Sequence, residues 1–210
     1  MTQKDKLYQY LKMTYAENEP IFLGDLSVTG IPNVSIRQAI LQFTKEDLLR
    51  RYDNGIYYIP KQSAFKNVPS FEDIINYKYL IDGQKQCGYY TGILFANKLG
   101  LTTQVPMVYE IATNKATTDY REVLLSGLKI IIRKPKATIN DNNYKTLQFL
   151  DLMREIDFIS EVEGEELTKK LSVYMKNMGI TFKEMDKYLP LYPDKIYKNM
   201  YESRLVKGIF

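Results

Sequence analysis

The sequence predicts an α/β (α+β) fold in two parts: an N-terminal winged helix-turn-helix, and a larger mixed α/β domain with a helical C-terminal part. The first observation is a helical apolar period near the N-terminus that gives way to a hairpin pattern within about 65 residues. The second is a pair of strand patterns in the middle of the chain. The third is a series of capped helical patterns after them.

An amphipathic first helix and a short second helix are predicted at the N-terminus. Apolar residues three and four positions apart lie on one face of a helix, so their spacing predicts helix. A short helix at about 22–26 is expected next, before a polar break. The residues that share one face of the first helix are Leu7, Tyr10, Leu11 and Tyr15.

A third helix and a hairpin complete the predicted N-terminal domain. Asn33 is expected to cap the helix. A hairpin turn is expected at Asp53-Asn54-Gly55, because Asn and Gly tolerate the positive φ that such turns require. A two-residue Asn-Gly loop and a three-residue loop with a bulge at Gly55 both fit. The apolar stripe of the helix consists of Ile36, Ala39, Ile40 and Phe43.

The sequence indicates a domain boundary between Pro60 and Pro69. This stretch has no sustained apolar period, and each proline disfavours helix next to it. We therefore predict two domains, residues 1–65 and residues 70–210, joined by a short linker. Ser70 is expected to cap the first helix of the second domain.

The second domain is predicted to contain two strands among several helices. The strand patterns lie at 107–113 and at 128–133, where a run of isoleucines indicates a buried strand. Capping-box patterns at Ser160 and Thr181 indicate the starts of two helices, and Pro193 is expected in the first turn of the last one. The helices after the first are expected at about 91–98, 143–156, 160–179, 181–190 and 193–203.

The chain has no histidine, and this excludes several classes of function. With 0 His and 1 Cys, neither the usual zinc sites nor Ser-His-Asp or Cys-His catalysis can be assembled. No phosphate-binding loop pattern is present. We therefore expect a protein that is not an enzyme and has no metal and no cofactor. An enzyme using carboxylates and a divalent metal stays open, if Asp141, Asp151 and Asp157 converge in space.

Charge and hydropathy predict a cytoplasmic protein. The net charge of +4 and the pI of about 8.8 are mildly basic, which argues only weakly for nucleic acid. No apolar run approaches the roughly 18 residues of a membrane span, and no apolar signal segment follows the first residues. The lone Cys87 excludes an internal disulfide. We expect no membrane partner.

Polar side chains on the outward face of the third helix are the first candidates for DNA contact. Arg and Gln form bidentate bonds to the edges of guanine and adenine, and a helix fits the major groove. A serine can reach a phosphate or a base. The alternative interpretation is an ordinary solvated helix face. The candidates are Ser35, Arg37, Gln38 and Gln42.

Two arginines in the hairpin are the other candidates for DNA contact. Arg50 and Arg51 precede the turn, and arginine suits phosphate contact and entry into the minor groove. Asp53 at the tip would oppose a phosphate. The alternative is an edge hairpin that its charges keep soluble. Neither register alternates cleanly, so the sequence does not decide which arginine faces DNA.

Four segments of the second domain resemble one known family, the AbiEi-type antitoxins. The resemblance begins at residues 88–92 (GYYTG) and 98–106 (KLGLTTQVP). It continues at residues 109–114 (YEIATN) and 130–135 (IIIRKP), which are similar to strands of the family's C-terminal domain. With the predicted winged helix in front, the resemblance covers roughly Lys4 to Asp157.

The resemblance implies a bacterial two-domain regulator from an abortive-infection operon. It implies that the winged helix binds operator DNA upstream of its own gene and represses transcription. It also implies that the second domain acts as a type IV antitoxin, opposing a nucleotidyltransferase toxin without forming a stable complex with it. Dimerisation on DNA is left open. Arg133 and Lys134, a basic pair beside Pro135, are our candidates for the antitoxin surface.

Two other classes of function remain open from the residues alone. The first is a nucleic-acid-processing enzyme in which carboxylates hold a divalent metal and the winged helix docks on the substrate. The second is a non-catalytic module that uses the hairpin surface to bind proteins. A neighbouring gene for a nucleotidyltransferase would favour the repressor and antitoxin.

Overall fold

The protein is mixed α/β, as expected. A computed structural model describes residues 2–61 and 68–206, and the chain divides into two compact units, Met1–Lys78 and Tyr79–Phe210. Residues 62–67, which hold most of the expected linker, lie outside the described residues. Among the helices described, none is both long enough and apolar enough to cross a lipid bilayer.

The first unit packs two long helices against a small antiparallel sheet. Thr2 caps the first helix through a capping box with Asp5. The three strands are hydrogen-bonded in the order β1-β3-β2, and a short helix capped by Ser70 follows. The elements are α1 (Gln3–Thr14), β1 (Ile21–Phe22), α2 (Asn33–Lys45), β2 (Arg50–Asp53), β3 (Ile56–Tyr58) and α3 (Phe71–Ile75), with a π-helical turn at Asn76–Leu80.

The helix predicted at about 22–26 is absent, and this prediction was wrong. Ile21 and Phe22 form β1, in which Ile21 pairs with Tyr57 of β3. A turn follows, closed by a 3.0 Å hydrogen bond from the Asp25 amide to the Phe22 carbonyl. Gly24 within this turn disfavours helix, and pairing with β3 satisfies the backbone groups that a helix would have paired internally.

The stripe predicted for α2 is confirmed, but its cap is not. Ile36, Ala39, Ile40 and Phe43 are buried, in a cluster that includes residues of α1. Pro32 rather than Asn33 is the N-cap residue, and no side chain caps the helix. The Pro32 carbonyl accepts the first helical hydrogen bond, from the Ile36 amide at 3.0 Å. The helix therefore begins at Asn33 itself, and its N-cap lies one residue before the cap that the sequence suggested.

The hairpin turn is confirmed, and its register is now defined. Asp53 pairs with Ile56, which leaves the two-residue loop Asn54-Gly55. Gly55 has φ +75°, the positive value that this turn needs. The register shifts between Arg51 and Asp53, so the bulge lies at Tyr52 rather than at Gly55.

The second unit contains a four-stranded sheet with helices around it. The strand order is β6-β7-β9-β8, in which β7 and β9 are parallel and the other neighbours antiparallel. The elements are β4 (Ile81–Asp82), β5 (Lys85–Gln86), β6 (Gly88–Thr91), α4 (Gly92–Lys98), β7 (Val108–Thr113), β8 (Tyr120–Leu125), β9 (Leu128–Arg133), α5 (Tyr144–Ile159), α6 (Gly164–Met178), α7 (Phe182–Met185), a 3-10 turn (Leu189–Leu191) and α8 (Lys195–Glu202).

Two helix starts and one helix end in the second unit differ from the predictions. Ser160 does not cap α6, because it ends α5 through its amide, which donates to the Ile156 carbonyl at 3.0 Å. Glu163 is the N-cap residue of α6 instead. Thr181 does cap α7, but that helix ends at Met185, well before Pro190. The last helix starts at Lys195, so Pro193 lies before it and not in its first turn.

Candidate nucleic-acid interface

The outward face of α2 is open to solvent, as the apolar stripe predicts. The buried stripe fixes the rotation of the helix, so residues on its opposite side point away from the core. Arg37, Gln38 and Gln42 are exposed, and Ser35 is half-buried at the edge of this face.

A shallow polar groove runs between the start of α1 and the outward side of α2. Ser35, Gln38 and Gln42 line it together with Lys4. Two of the lining residues are held by Glu46, which accepts hydrogen bonds from Lys4 Nζ at 2.7 Å and from Gln42 Nε2 at 3.0 Å. The bond from Lys4 is the main reason that the pKa of Glu46 is lowered. The amide of Gln42 is therefore already engaged.

Arg37, Gln38 and Lys45 keep their hydrogen-bonding groups available. Within residues 2–61 and 68–206, none of these three side chains makes a hydrogen bond or an ion pair. Arg37 and Lys45 are both exposed and eight positions apart, and Gln38 is exposed between them. This side of α2 thus carries positive charge and a free amide, the groups that bind phosphates and base edges.

The two arginines of the hairpin bind groups of their own chain. Arg50 forms a bidentate pair with Asp47, at 3.0 Å from Nε to Oδ1 and 3.0 Å from the second nitrogen to Oδ2. This hydrogen bonding raises the pKa of Arg50. Arg51 donates to the Asp53 carbonyl at 3.2 Å and to Asn54 Oδ1 at 3.1 Å. Arg51 is exposed over the hairpin tip, and the charge of Arg50 is neutralised locally.

Arg133 and Lys134 lie in different environments at the end of β9. Arg133 is half-buried and donates two bonds, of 3.0 and 3.1 Å, to Glu110 Oε2. Its guanidinium also lies 5.3 Å from the ring centre of Tyr120, a cation–π distance. The Lys134 side chain is exposed. The two residues therefore do not form one basic surface, because Arg133 is held by the sheet.

Three of the four sequence segments singled out above, 88–92, 109–114 and 130–135, contribute neighbouring strands to the four-stranded sheet. β6 pairs with β7, with Thr91 opposite Glu110, and β7 pairs in parallel with β9, with Glu110 opposite Ile131.

Glu161 holds the loop after α4 in place through three hydrogen bonds. It accepts from Thr102 Oγ1 at 2.9 Å, and from the amide and hydroxyl of Thr103, both at 2.8 Å.

Lowering the pH is expected to weaken the hydrogen bonds that hold this loop, because it protonates the Glu161 carboxylate. The Thr103 amide, then the two threonine hydroxyls, lower the pKa of Glu161 to about 2. Because the folded-state pKa lies below the ordinary 4.5, the carboxylate stabilises the fold above pH 4.5. This contribution is lost as pH falls from 4.5 towards 2. We expect Glu161→Gln to flatten the wild-type loss of thermal stability across that range.

Glu163→Gln is the matched control, since Glu163 is an exposed neighbour that makes no cap hydrogen bond. The measurement is the unfolding midpoint of each full-length variant against pH. A Glu161→Gln curve parallel to the wild-type curve below pH 4.5 would contradict the role given to this carboxylate.

The three carboxylates considered for magnesium do not converge. Asp141 accepts a hydrogen bond from the backbone amide of Gln86 at 2.8 Å. The buried Asp151 accepts one from the Tyr89 hydroxyl at 2.7 Å. Asp157 lies six residues after Asp151 on α5, a rise of about 9 Å along the helix axis. In the part of the chain that the structure describes, no three metal-binding side chains form a group.

Two exposed apolar residues on α2 were missed by the sequence reasoning. Val34 is 67% exposed and Leu41 is 58% exposed, beside Gln38 on the outward face. The signal was present, because both residues fall outside the apolar stripe and are seven positions apart, which places them on one line of the helix.

The fold and this face define a two-unit mixed α/β protein with an open, positively charged helix face. The chain belongs to a family described as "Family of unknown function (DUF6088)", whose profile matches residues 15–171. The matched region includes β1, α2, the hairpin and the four-stranded sheet. A comparison with curated proteins gives no match.

Proposed function

We propose that this protein is a DNA-binding transcriptional repressor of its own operon and the antitoxin of a type IV toxin–antitoxin pair. The observation that carries the DNA-binding part is the outward face of α2, where Arg37 and Gln38 have no partner within the described chain. That helix is followed at once by the hairpin β2–β3.

The first unit then acts as a winged helix in which a turn replaces the second helix. The order α1, β1, α2, β2, β3 supports this, as does β1 lying beside β3 rather than β2. In this arrangement α2 is the recognition helix and enters the major groove. The hairpin lies over the adjacent backbone, where Arg51 at its tip contributes more than Arg50, which Asp47 neutralises.

The recognition chemistry follows from the side chains that remain available on α2. Gln38 can accept from and donate to one adenine, and Arg37 can bind a guanine or a phosphate. Lys45 lies about two turns after Arg37 and can bind a second phosphate. Ser35 and Gln42 flank Gln38 in the groove, and Gln42 keeps its bond to Glu46.

The second unit is assigned the antitoxin role on the strength of the resemblance. It opposes a nucleotidyltransferase toxin in the cytoplasm without a stable complex between the two proteins. Lys134 and Lys136 are exposed and carry positive charge at the end of β9, so they are the better candidates for this surface than Arg133, which Glu110 holds.

We expect the purified protein to protect a defined stretch of DNA upstream of its own gene. Each protomer neutralises a few phosphates, so affinity will fall steeply as salt is raised. DNase footprinting at moderate salt, with random DNA of equal length as the control, makes the measurement. Protection no stronger than on random DNA would remove the basis of the repressor assignment.

Gln38→Ala is expected to weaken the preference for the operator over random DNA. A lost bidentate base contact costs about 1–3 kcal/mol of discrimination. Gln42→Ala is the matched control, because that amide is already bonded to Glu46 and its loss costs less. The measurement is the ratio of affinities for operator and random DNA, determined for each full-length variant. Equal effects of the two substitutions would mean that Gln38 is not the residue that reads the base.

A further inference from the structure

The outward face of α2 carries an apolar centre inside its polar rim. Val34 and Leu41 are 67% and 58% exposed, although most large apolar residues of this unit lie in its core. On a helix, seven positions bring a side chain back to nearly the same direction, about 10.5 Å further along the axis. Gln38 lies between them on the same side.

The groups around this apolar centre favour one occupant, duplex DNA. Arg37 and Lys45 are exposed cations without an ion pair in the described ranges. No acidic residue occurs within α2, from Asn33 to Lys45. A protein partner would need acidic groups to match these cations. It would also need a donor and an acceptor for the free side-chain amide of Gln38. The phosphates and base edges of a major groove satisfy both demands.

An apolar side chain in the major groove has one natural partner. Among the base edges exposed there, only thymine carries a methyl group, at C5. Successive base pairs are about 3.4 Å apart, so side chains 10.5 Å apart reach positions about three base pairs apart when the helix lies along the groove.

We propose that Val34 and Leu41 read the 5-methyl groups of two thymines about three base pairs apart in the operator. This rests on the proposed DNA-binding function and adds a sequence requirement that the polar residues do not give. Burying one methyl group strengthens binding by about fourfold. Replacing each thymine by uracil removes that gain and keeps every hydrogen-bonding group of the base.

The test compares upstream DNA made with thymine and the same DNA made with uracil, each titrated with four full-length proteins. These are the wild type, Val34→Ala, Leu41→Ala and the control Val173→Ala, an exposed valine on α6. For the wild type and the control we expect about a tenfold or larger loss of affinity on uracil DNA. Each α2 variant should bind thymine DNA more weakly, and should lose about fourfold less than the wild type on uracil DNA.

Two results overturn the proposal while the repressor function stands. The first is specific binding by the wild type that is equal on thymine and uracil DNA. The second is a uracil effect as large in the α2 variants as in the wild type, because the methyl groups are then read elsewhere. Concentration-dependent self-association that Val34→Ala and Leu41→Ala abolish, with no uracil effect, would assign the face to a second copy. Absence of any specific DNA binding overturns this proposal and the repressor function together.

Discussion

Gly88→Ala is expected to leave the second unit unfolded or barely stable. An alanine Cβ here would lie 2.3 Å from the Tyr79 carbonyl oxygen and 2.9 Å from the Ala112 carbonyl oxygen, both backbone atoms. The Tyr79 carbonyl is fixed by the Thr113 hydroxyl, which donates to it at 2.6 Å. Overpacking normally costs about 1–3 kcal/mol, and here the backbone of the π-helical turn and of β7 would have to move. We expect a loss above about 4 kcal/mol, at the extreme of single substitutions.

Gly24→Ala is the control for this change. It adds the same methyl group where no atom of residues 2–61 and 68–206 lies within 4 Å, at a residue without positive φ. Urea titration of the full-length proteins, followed by circular dichroism, gives the comparison, and hydrogen exchange assigns the loss to β6 and β7. Similar midpoints for the two variants would mean that the sheet is not as tightly packed at Gly88 as described.

The double variant Arg37→Ala, Gln38→Ala is expected to separate the two proposed activities of the full-length protein. Losing both side chains should weaken operator binding by about 100-fold or more, since each base contact is worth about 1–3 kcal/mol. Both residues are exposed on α2, so the fold should be unaffected. The proposed protection against a nucleotidyltransferase toxin should continue, because we propose that role for the second unit.

Two assays on the same cells test this separation. A reporter fused to the upstream DNA measures repression, and growth during expression of a nucleotidyltransferase encoded beside the gene, the proposed toxin, measures protection. Lys183→Ala, an exposed lysine on α7, controls for the loss of positive charge. If the double variant is folded and abundant but protects no better than an empty vector, antitoxicity requires DNA binding and the proposed division of roles is wrong.

The sequence predicted those elements whose pattern lies in their own residues. It missed strands whose own residues carry no such pattern. The strand at 128–133 was found, because three consecutive isoleucines fit a strand buried between neighbours. β8 was missed, since it is an edge strand with mostly exposed residues and shows no apolar pattern. β1 has two residues, too few for any period, and it is a strand only because Ile56 and Tyr57 pair with it.

The outward position of the candidate residues could be predicted from the sequence. Which of their side chains are already hydrogen-bonded within the protein could not. Helical periodicity fixed the outward direction of Arg37 and Gln38, because it depends only on residues of the same helix. Whether an arginine is already engaged depends on other segments. Glu110, 23 positions before Arg133, comes beside it only through the pairing of β7 with β9. The pairing of Gln42 with Glu46 was not predicted, although its signal was local, since four positions on a helix place such groups side by side.

The position of β9 between β7 and β8 has a consequence for how the protein reaches its native state after synthesis. β8 and β9 form a local hairpin across a two-residue turn at Ser126 and Gly127, whereas Val108 must find Lys129 across 21 positions. Local hairpins close faster than parallel pairings. We therefore expect the hairpin to form early and to dock on β7 later. Until then the edge of β9 can pair with other chains, so aggregation during rapid expression should decrease when synthesis is slowed by cooling.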